Sequence, residues 1–481
     1  MSQGVERYVA LARQAAARRA ADLAAIKKCR FDTIAVHGMY SMNEALNFNQ
    51  GSIIEPMYMA SSQAYRDSDE MEAALGYQIP TWCYSRIGNP SMYYFEQTLA
   101  LLEGYGGDIE TACCATSSGM AAIASATDPF LAVDPANPKQ PINFVSTCQV
   151  YGGTFQQFAE RKMKERGIEC RWIVNSNDPA EWEEKIDANT RFVYGELPSN
   201  PGQAFFDLDW VIKLAHSRGV PVIVDNTVAS PALMRPLVRG ADIVVQSVTK
   251  TLTSSGFGIA GAVISRADIT SKFGCPELKA NFAMYLKTLP NRDNGQNLSP
   301  MNCILSLNDM RTLRSKVDLF SRNTLAVARF LSGHRKIEAV NYLGLEDHPL
   351  HALASRYLRL VDSEENRFGH LMSFNVSGGA PAARRMFDGL QRIWRATDLG
   401  RVKSVATIPA ISTHSQQGEE GRAMAAIPPN MVRLCVGGEH PDDVIADLDQ
   451  ALAAIDGKIT VQVPYEFSTG GASGATAAGL E

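Results

Sequence analysis

The stretch QSVTKTLTSSGFGIAGAVIS, Gln246–Ser265, holds a single lysine, Lys250, among hydroxyl residues and just before three glycines. The segment DIVVQS that leads into it and the segment GAVIS that ends it are apolar and rich in β-branched residues, so both are predicted to be buried strands. Lysine is among the residues least often buried. An amine held between two buried strands is therefore a candidate functional group.

Three interpretations of Lys250 follow from these surroundings. A lysine at a strand end usually extends its amine to solvent. Gly256, Gly258 and Gly261 match the G-x-G-x-x-G pattern of dinucleotide sites, but that pattern opens a helix and here the glycines lead into a strand. The third interpretation is a Schiff-base lysine, whose amine reacts with an aldehyde cofactor. It requires an acid, an aromatic ring and a phosphate site elsewhere in the chain.

The composition of the 481 residues indicates an ordinary globular protein of two or more domains. The net charge is −5 and no long basic run occurs, which argues against a nucleic-acid partner. No apolar run approaches the ~20 residues of a membrane span, so no membrane association is expected. None of the nine cysteines forms a C-x-x-C pair, so neither a metal site nor a disulfide framework is predicted, and a reducing cytoplasm is the expected location.

The order of elements predicts an α/β fold. From about residue 110 to 265, apolar segments alternate with amphipathic ones, which is typical of a mostly parallel sheet covered by helices on both faces. The predicted strands are PINFVS, CRWIVNS, TRFVYGE, PVIVDN and DIVVQS. After residue 300, one long amphipathic helix is predicted over residues 308–333, followed by a smaller α+β domain that ends with the helix PDDVIADLDQALAAID.

Functional side chains follow the predicted strands. Tyr151 lies after INFVST, Asn200 after RFVY, Asp225 at the end of PVIVD and Lys250 after DIVVQ. Upstream, the turn TSSGMAAI leads into an apolar helix whose N-terminus can bind a phosphate. Ligands of parallel sheets bind at the carboxyl ends of the strands, where these residues are expected to meet. Lysine for the aldehyde, an acid for the ring nitrogen, an aromatic ring for stacking and a phosphate turn are the parts of a pyridoxal phosphate site.

The segment DNTVASPALMRPLVRGADIVVQSVTKTLTSSGFGIAG, residues 225–261, resembles the cofactor-lysine region of the Cys/Met-metabolism pyridoxal phosphate enzymes. That family contains cystathionine γ-synthase, cystathionine lyases, O-acetylhomoserine sulfhydrylase and methionine γ-lyase. The motifs YSRIGNP, SSGMAAI, YGGTF, PSNP and VRLCVGG agree in order and spacing over roughly residues 30–455. The resemblance implies a fold-type I transferase fold, with a mostly parallel seven-stranded sheet and a smaller C-terminal domain.

The resemblance also implies roles for individual residues. Lys250 would bond the cofactor's aldehyde and then transfer protons, Asp225 would pair with the ring nitrogen, and Tyr151 would stack on the ring and protonate the departing γ-group. Asn200 would bond the ring's 3-oxygen. The residues expected at the phosphate are Ser118, Gly119, Met120, Ser247 and Thr249. Arg433 in VRLCVGG and Ser404 in VKSVATIP match residues that bind the substrate's α-carboxylate.

Tyr84 and Arg86 in YSRIGNP match residues that reach the phosphate of a neighbouring subunit. The resemblance therefore implies a homodimer with shared active sites, and a tetramer is typical of the family. The expected organisation is an N-terminal helical arm for subunit contacts (1–75), a large cofactor-binding domain (76–300), a small domain (301–465) and a disordered tail (466–481).

The expected reaction is γ-elimination on a methionine- or homoserine-like amino acid, giving 2-oxobutanoate, ammonia and the released γ-group. Three departures from the family pattern bear on it: Thr251 replaces a common tyrosine, Gly153 replaces a cysteine of many bacterial methionine γ-lyases, and the stretch SVATIPAISTHSQQ lacks a glutamate found in several cystathionine-handling members. The alternative is γ-replacement, as in a sulfhydrylase or cystathionine γ-synthase. A non-catalytic scaffold is a more distant alternative, which retention of the lysine, acid, tyrosine and both arginines disfavours.

Overall fold

A computed structural model describes residues 2–80, 82–133 and 137–456 of the chain. The predicted disordered tail, 466–481, and the last part of the predicted small domain, 457–465, lie outside these residues.

The large sheet contains all five strands predicted between residues 110 and 250, together with the strand predicted at GAVIS. Its strands are β1 (Thr111–Thr116), β2 (Asn143–Thr147), β3 (Glu169–Ile173), β4 (Thr190–Glu196), β5 (Val222–Asp225), β6 (Ile243–Gln246) and β7 (Gly261–Arg266). Their order across the sheet is β1-β7-β6-β5-β4-β2-β3. The pairs from β6 to β3 are parallel, whereas β7 runs antiparallel to both β6 and β1. The prediction of a mostly parallel sheet is confirmed.

The central strands are mostly apolar because both faces of the sheet are covered. In β5, Val222 and Val224 belong to one apolar cluster and Ile223 to another. Alternate residues of a strand point to opposite faces, so two cores require apolar residues at consecutive positions. The helices of this part of the chain are α1 (Gln3–Ile26), α2 (Phe31–His37), α3 (Met42–Phe48), α4 (Ser68–Leu75), α5 (Pro90–Glu103), α6 (Gly119–Thr127), α7 (Gly152–Gln156), α8 (Pro179–Lys185), α9 (Leu208–Ser217), α10 (Ser230–Leu233), α11 (Pro236–Arg239), α12 (Pro276–Ala280), α13 (Phe282–Thr288) and α14 (Pro290–Asn294). A π-helical segment, Gln157–Lys164, continues α7.

The smaller domain is built on a second sheet. Its strands are β8 (Ile337–Asn341), β9 (Leu371–Val376), β10 (Trp394–Arg395), β11 (Val405–Thr407) and β12 (Met431–Cys435), in the order β10-β11-β12-β9-β8. Its helices, with the two that connect the domains, are α15 (Pro300–Met310), α16 (Leu313–Ser332), α17 (His351–Ser355), α18 (Gly379–Asp388), α19 (Gly418–Met424) and α20 (Pro441–Ala453). The predicted α+β domain is confirmed.

The single helix predicted over residues 308–333 is wrong, because the structure divides this stretch into α15 and α16 at Arg311 and Thr312. Helix α15 packs against α5 of the large domain, whereas α16 packs against α20, β8 and β9. The helical segment is interrupted where the chain passes from one domain to the other. The amphipathic pattern is continuous across this point, so only the packing reveals the break.

Candidate active site

The carboxyl ends of four neighbouring strands bring the predicted residues together. Asp225 is the last residue of β5, Lys250 follows β6, Asn200 follows β4 and Tyr151 follows β2. They line one cavity of about 220 Å³. The cavity's lining residues are Ser118, Gly119, Met120, Ile123, Tyr151, Glu196, Asn200, Asp225, Thr227, Val228, Ser247, Thr249, Lys250, Ile259, Thr397, Leu399 and Arg433.

The phosphate turn lies at the N-terminus of α6. The Ser118 hydroxyl caps this helix by accepting a hydrogen bond of 3.1 Å from the backbone N–H of Ala121. Gly119 lies so close to Ser247 that an added Cβ would be 2.6 Å from the Ser247 Cβ. The helix N-terminus and the Ser247 loop therefore form a narrow cradle that only glycine permits at this position. The backbone N–H groups of such a terminus bind anions.

The hydroxyl of Thr249 is engaged by the protein itself. Its Oγ1 donates to the backbone oxygen of Ala260 at 3.0 Å and accepts from the Ala260 N–H at 2.9 Å. This residue lines the cavity, but its hydroxyl proton is donated to Ala260, the residue just before β7. Its predicted contact with the phosphate stays a prediction.

Asp225 is a buried acid with two neutral donors. Its Oδ1 accepts from the N–H of Thr227 at 3.0 Å, and its Oδ2 accepts from the hydroxyl of Tyr194 at 3.2 Å. Burial raises the pKa of Asp225, while the hydrogen bonds from Thr227 and Tyr194 partly offset this effect. A buried carboxylate of this kind is stabilised by a cationic partner in the cavity.

Glu196, which the sequence analysis missed, fixes two of the predicted residues. Its Oε2 accepts from the backbone N–H of Tyr151 at 2.8 Å, and its Oε1 accepts from that of Asn200 at 2.7 Å. Burial, followed by the charge of Asp225, raises the pKa of Glu196 well above its usual value. Its position at the end of β4, in the motif GELPSNP, was the signal that could have revealed it.

Arg433, on β12, brings the smaller domain to the cavity. Its guanidinium donates to Asn200 Oδ1 at 3.2 Å and to the backbone oxygens of Thr397 and Asp398 at 3.2 and 2.7 Å. The Nε of this fully buried side chain has no hydrogen-bond partner within the described part of the chain. An unpaired guanidinium donor at a cavity suits a carboxylate.

His414 is a second residue that the sequence analysis missed. Its ring lies edge-on to that of Tyr151, with 6.5 Å between the ring centroids. Burial, together with the charge of Arg433, lowers the pKa of His414 to about 4, so the imidazole is neutral at physiological pH. The Tyr151 ring therefore lies between His414 of the smaller domain and the end of β2. Tyr151 is 37% exposed.

Lys250 faces an acid that the sequence analysis also missed. Its Nζ lies 2.6 Å from Oδ1 of Asp398, a residue 148 positions further along the chain. No sequence pattern indicates this pair, because the two residues belong to different domains. The pair lies at the edge of the cavity, where Thr397 and Leu399 contribute to the lining.

Three predicted residues lie outside this cavity. The hydroxyl of Ser404 donates to Glu439 at 2.9 Å and accepts from the Gly437 N–H at 3.0 Å, so it supports the smaller domain internally. Its contact with a substrate stays a prediction that these hydrogen bonds do not favour. Tyr84 and Arg86 lie next to each other, with the guanidinium carbon 5.3 Å from the ring centroid, and neither lines the cavity of its own chain.

Comparisons with known proteins identify the family. A sequence profile described as Cys/Met metabolism PLP-dependent enzyme matches residues 32–453. The chain belongs to this family. It is 33% identical to a homocysteine synthase of Schizosaccharomyces pombe over 447 residues, which covers 88% of this chain and 98% of the relative. It is also 33% identical to an L-methionine gamma-lyase of Porphyromonas gingivalis over 426 residues, which covers 88% and 97%.

A solved structure agrees with this assignment. The crystal structure of a protein from Campylobacter jejuni, described as an O-acetylhomoserine (thiol)-lyase, matches with a TM-score of 0.79 at 31% identity, and the match covers 88% of this chain and all of that one. That structure contains N′-pyridoxyl-lysine-5′-monophosphate. The predictions of the family, of a fold-type I fold and of pyridoxal phosphate as cofactor are confirmed. None of the described helices is long and apolar enough to cross a membrane.

The residues of the cavity fit the cofactor. The cradle between Gly119 and Ser247 has no room for a Cβ, the buried Asp225 could pair with a protonated ring nitrogen, and Lys250 could supply the amine. Pyridoxal phosphate enzymes use this set of groups.

Proposed function

We propose that this enzyme catalyses γ-elimination on a methionine- or homoserine-like amino acid. The observation that carries the proposal is the convergence of Lys250, Tyr151 and Arg433 on one cavity. Arg433 supplies an unpaired buried donor for the α-carboxylate, so the substrate's Cα is oriented towards the two groups that can transfer protons. The relatives of this chain include both methionine gamma-lyases and homoserine sulfhydrylases, so family membership alone does not select one reaction.

Each residue has one proposed task. Bound pyridoxal phosphate supplies the electron sink for negative charge at Cα. The amine of Lys250 removes the Cα proton and passes protons along the substrate, and the Tyr151 hydroxyl donates a proton to the departing γ-group. Glu196 holds Tyr151 and Asn200 through their backbone N–H groups. Overall, one amino acid and one water are consumed, and 2-oxobutanoate, ammonia and the protonated γ-group are released.

The second candidate is γ-replacement, in which a thiol or sulfide takes the place of the γ-group. It is favoured by the match to a homocysteine synthase and by the match to an O-succinylhomoserine sulfhydrylase of Pseudomonas aeruginosa, which is 33% identical over 425 residues. Both reactions begin with loss of the Cα proton, so the same residues serve both. In γ-replacement a thiol or sulfide then bonds to the γ-carbon, whereas in γ-elimination no such bond forms.

The deciding experiment measures products from L-methionine, O-acetyl-L-homoserine and cystathionine, with and without added sulfide. γ-Elimination predicts 2-oxobutanoate and ammonia in equal amounts, unchanged by sulfide. Homocysteine in place of 2-oxobutanoate when sulfide is added would establish γ-replacement instead. Lys250→Ala should abolish either product and the absorbance near ~420 nm that the lysine-bound cofactor confers. Lys403→Ala, at an exposed lysine over the Trp394 ring, should leave both unchanged.

We also propose that the active unit is at least a homodimer. Tyr84 and Arg86 are absent from the cavity of their own chain, although the family resemblance assigns them to a phosphate site. The N-terminal arm leaves large apolar side chains exposed, among them Met42, Phe48 and Ile53. Exposed apolar surface of this kind is characteristic of an interface. A two-fold interface would let each arm complete the site of the opposite chain.

A further inference from the structure

A four-residue turn of the smaller domain, Asp398–Arg401, packs directly on the backbone that carries Lys250. Gly400 has a φ of +72°, and a Cβ at this position would lie 2.6 Å from the backbone nitrogen of Thr251. Both the left-handed conformation and the close approach require glycine. The turn therefore has a defined position relative to Lys250.

Arg401 joins the turn to both sides of the lysine. Its Nη1 donates to the backbone oxygen of Thr249 at 2.8 Å and to that of Thr253 at 2.9 Å. These two carbonyl groups belong to the same loop as Lys250, one before it and one after it. Arg401 thus connects the two domains at the point where the lysine emerges.

The carboxylate of Asp398 is oriented by groups other than Lys250. Its Oδ2 forms an ion pair with the Nε of Arg401, and its Oδ1 accepts from the N–H of Leu399 at 2.9 Å. Although burial alone would raise the pKa of Asp398, the charge of Lys250 and the hydrogen bonds from Lys250, Arg401 and Leu399 hold it below its usual value. Asp398 is therefore ionised, and its Oδ1 is directed at the lysine amine.

We propose that Asp398 is a positioning residue that receives the amine of Lys250 whenever this amine is not bonded to the cofactor. The proposal rests on the proposed function, in which Lys250 removes the substrate's Cα proton. In that step the C–H bond breaks, its electron pair stays with the substrate and cofactor, and the amine lone pair takes the proton. The ammonium formed lies 2.6 Å from Asp398, which stabilises its charge and keeps it in place for the next proton transfer.

The alternative is that this contact is an ordinary ion pair between domains. The side chains of Lys250 and Asp398 are 25% and 31% exposed, so solvent weakens their attraction and a purely structural pair would contribute little to stability. A structural pair predicts no effect on the chemistry of Lys250. A positioning residue predicts an effect on both the reactivity of the amine and the removal of the Cα proton.

The test compares Asp398→Asn with Asp318→Asn as a matched control. Asp318 also forms a partly exposed ion pair with an arginine, Arg367, but it lies on α16 outside the cavity. The first measurement needs no bound cofactor: the apoprotein is briefly treated with formaldehyde and a reducing agent at pH 7, and methylation of Lys250 is read by mass spectrometry. We expect about tenfold more methylation in Asp398→Asn, because loss of the charge-assisted hydrogen bond leaves the Lys250 amine free to react, and no change in Asp318→Asn.

The second measurement follows exchange of the Cα proton of L-norvaline, which has no γ-leaving group, in deuterated water by NMR. We expect exchange about ten- to a hundredfold slower in the Asp398→Asn holoenzyme. Asp398→Glu, which keeps the charge, should recover part of the loss. If Asp398→Asn fails to fold, Asp398→Ser takes its place, because it also removes the charge. Wild-type methylation and exchange in a folded Asp398→Ser would then overturn the proposal.

The outcomes separate this inference from the proposed function. Wild-type methylation and exchange in a folded Asp398→Asn, in an enzyme that releases 2-oxobutanoate, would overturn the positioning role alone. A wild-type enzyme that exchanges the Cα proton but releases no 2-oxobutanoate would overturn γ-elimination, while the methylation result would still decide the role of Asp398.

Discussion

The hydroxyl of Tyr194 donates a hydrogen bond of 3.2 Å to the carboxylate of Asp225 on the neighbouring strand. The two residues lie on β4 and β5, which run parallel, so the pair forms where both strands approach their carboxyl ends. Tyr194 is fully buried, and burial raises its pKa well above the usual value, so the phenol keeps its proton and acts as a donor. The arrangement orients the carboxylate without neutralising it.

Asp225→Asn tests whether this negative charge supports the reaction. The amide retains the size of the side chain but cannot hold a proton on the cofactor's ring nitrogen. We expect kcat to fall by at least about a hundredfold, a loss typical of removing a transition-state charge interaction, at a nearly constant KM. Steady-state kinetics measure both constants. Asp209→Asn is the control, because Asp209 forms an ion pair with Arg239 outside the cavity. An unchanged kcat in Asp225→Asn would contradict the role of Asp225.

Gly119→Ala tests the phosphate cradle. The new Cβ would lie 2.6 Å from the Ser247 Cβ, so the helix N-terminus and the Ser247 loop must move apart. We expect cofactor affinity to fall about tenfold or more, a loss of about 1.4 kcal/mol, measured by fluorescence titration of the apoprotein with pyridoxal phosphate. Gly202→Ala is the control, because its Cβ would approach no atom closer than 4.0 Å. Equal affinities of the two variants would show that the phosphate does not use this cradle.

Arg433→Lys tests recognition of the α-carboxylate. Lysine keeps the charge but loses the planar set of donors that also bonds Asn200 and two backbone oxygens. We expect KM to rise by about tenfold or more, with a smaller change in kcat, since ground-state and transition-state binding of the carboxylate are both weakened. Arg367→Lys, at an ion pair with Asp318, should leave both constants unchanged. A variant with normal KM would exclude Arg433 as the carboxylate ligand.

Subunit mixing tests the shared site. If Arg86 completes the site of the neighbouring chain, a mixed dimer of Arg86→Ala and Lys250→Ala chains contains one site with both residues and one with neither. Exchange of subunits under mild denaturant should therefore restore part of the wild-type 2-oxobutanoate production. The control is each variant exchanged with itself. Mixed dimers, verified by mass spectrometry, that stay as inactive as their parents would assign Arg86 to its own chain or to no site.

The burial of the Glu103 carboxyl leads us to predict how the free energy of unfolding depends on pH. Burial raises the pKa of this carboxyl from 4.5 to about 7, although Gln246 and Asn226 donate hydrogen bonds to it. The unfolded chain therefore ionises Glu103 at a lower pH than the folded one does, and the free energy of unfolding falls as pH rises between these two values, by up to about 3 kcal/mol. Glu103→Gln should remove this component.

Urea unfolding at pH 5 and pH 7.5 measures the effect of Glu103. The decrease between the two pH values should be smaller in Glu103→Gln than in wild type, whereas Glu110→Gln, at an exposed residue, should behave as wild type. The other buried acids titrate in all three proteins and cancel in the comparison. The same decrease in wild type and in Glu103→Gln would contradict the raised pKa.

The sequence by itself determined six strands of the large sheet and the cluster of side chains expected at its edge. A strand covered on both faces is apolar at most of its positions, as Val222, Ile223 and Val224 are, so β2 to β6 could be predicted from short segments. Parallel strands end at one edge of the sheet, so Tyr151, Asp225 and Lys250 could be predicted to meet.

Only the tertiary structure decided what comes from the second domain. The ion pair of Lys250 with Asp398 spans 148 positions, and Ser404 bonds to Glu439 rather than lining the cavity. The break between α15 and α16 has the same origin, since α15 packs on α5 of the large domain and α16 packs mainly on α20, β8 and β9 of the smaller one. The periodicity of apolar residues and the position of strand ends predict local secondary structure and which face of it is buried. Contacts between domains depend instead on how two separately formed surfaces fit together, which no local pattern of residues specifies.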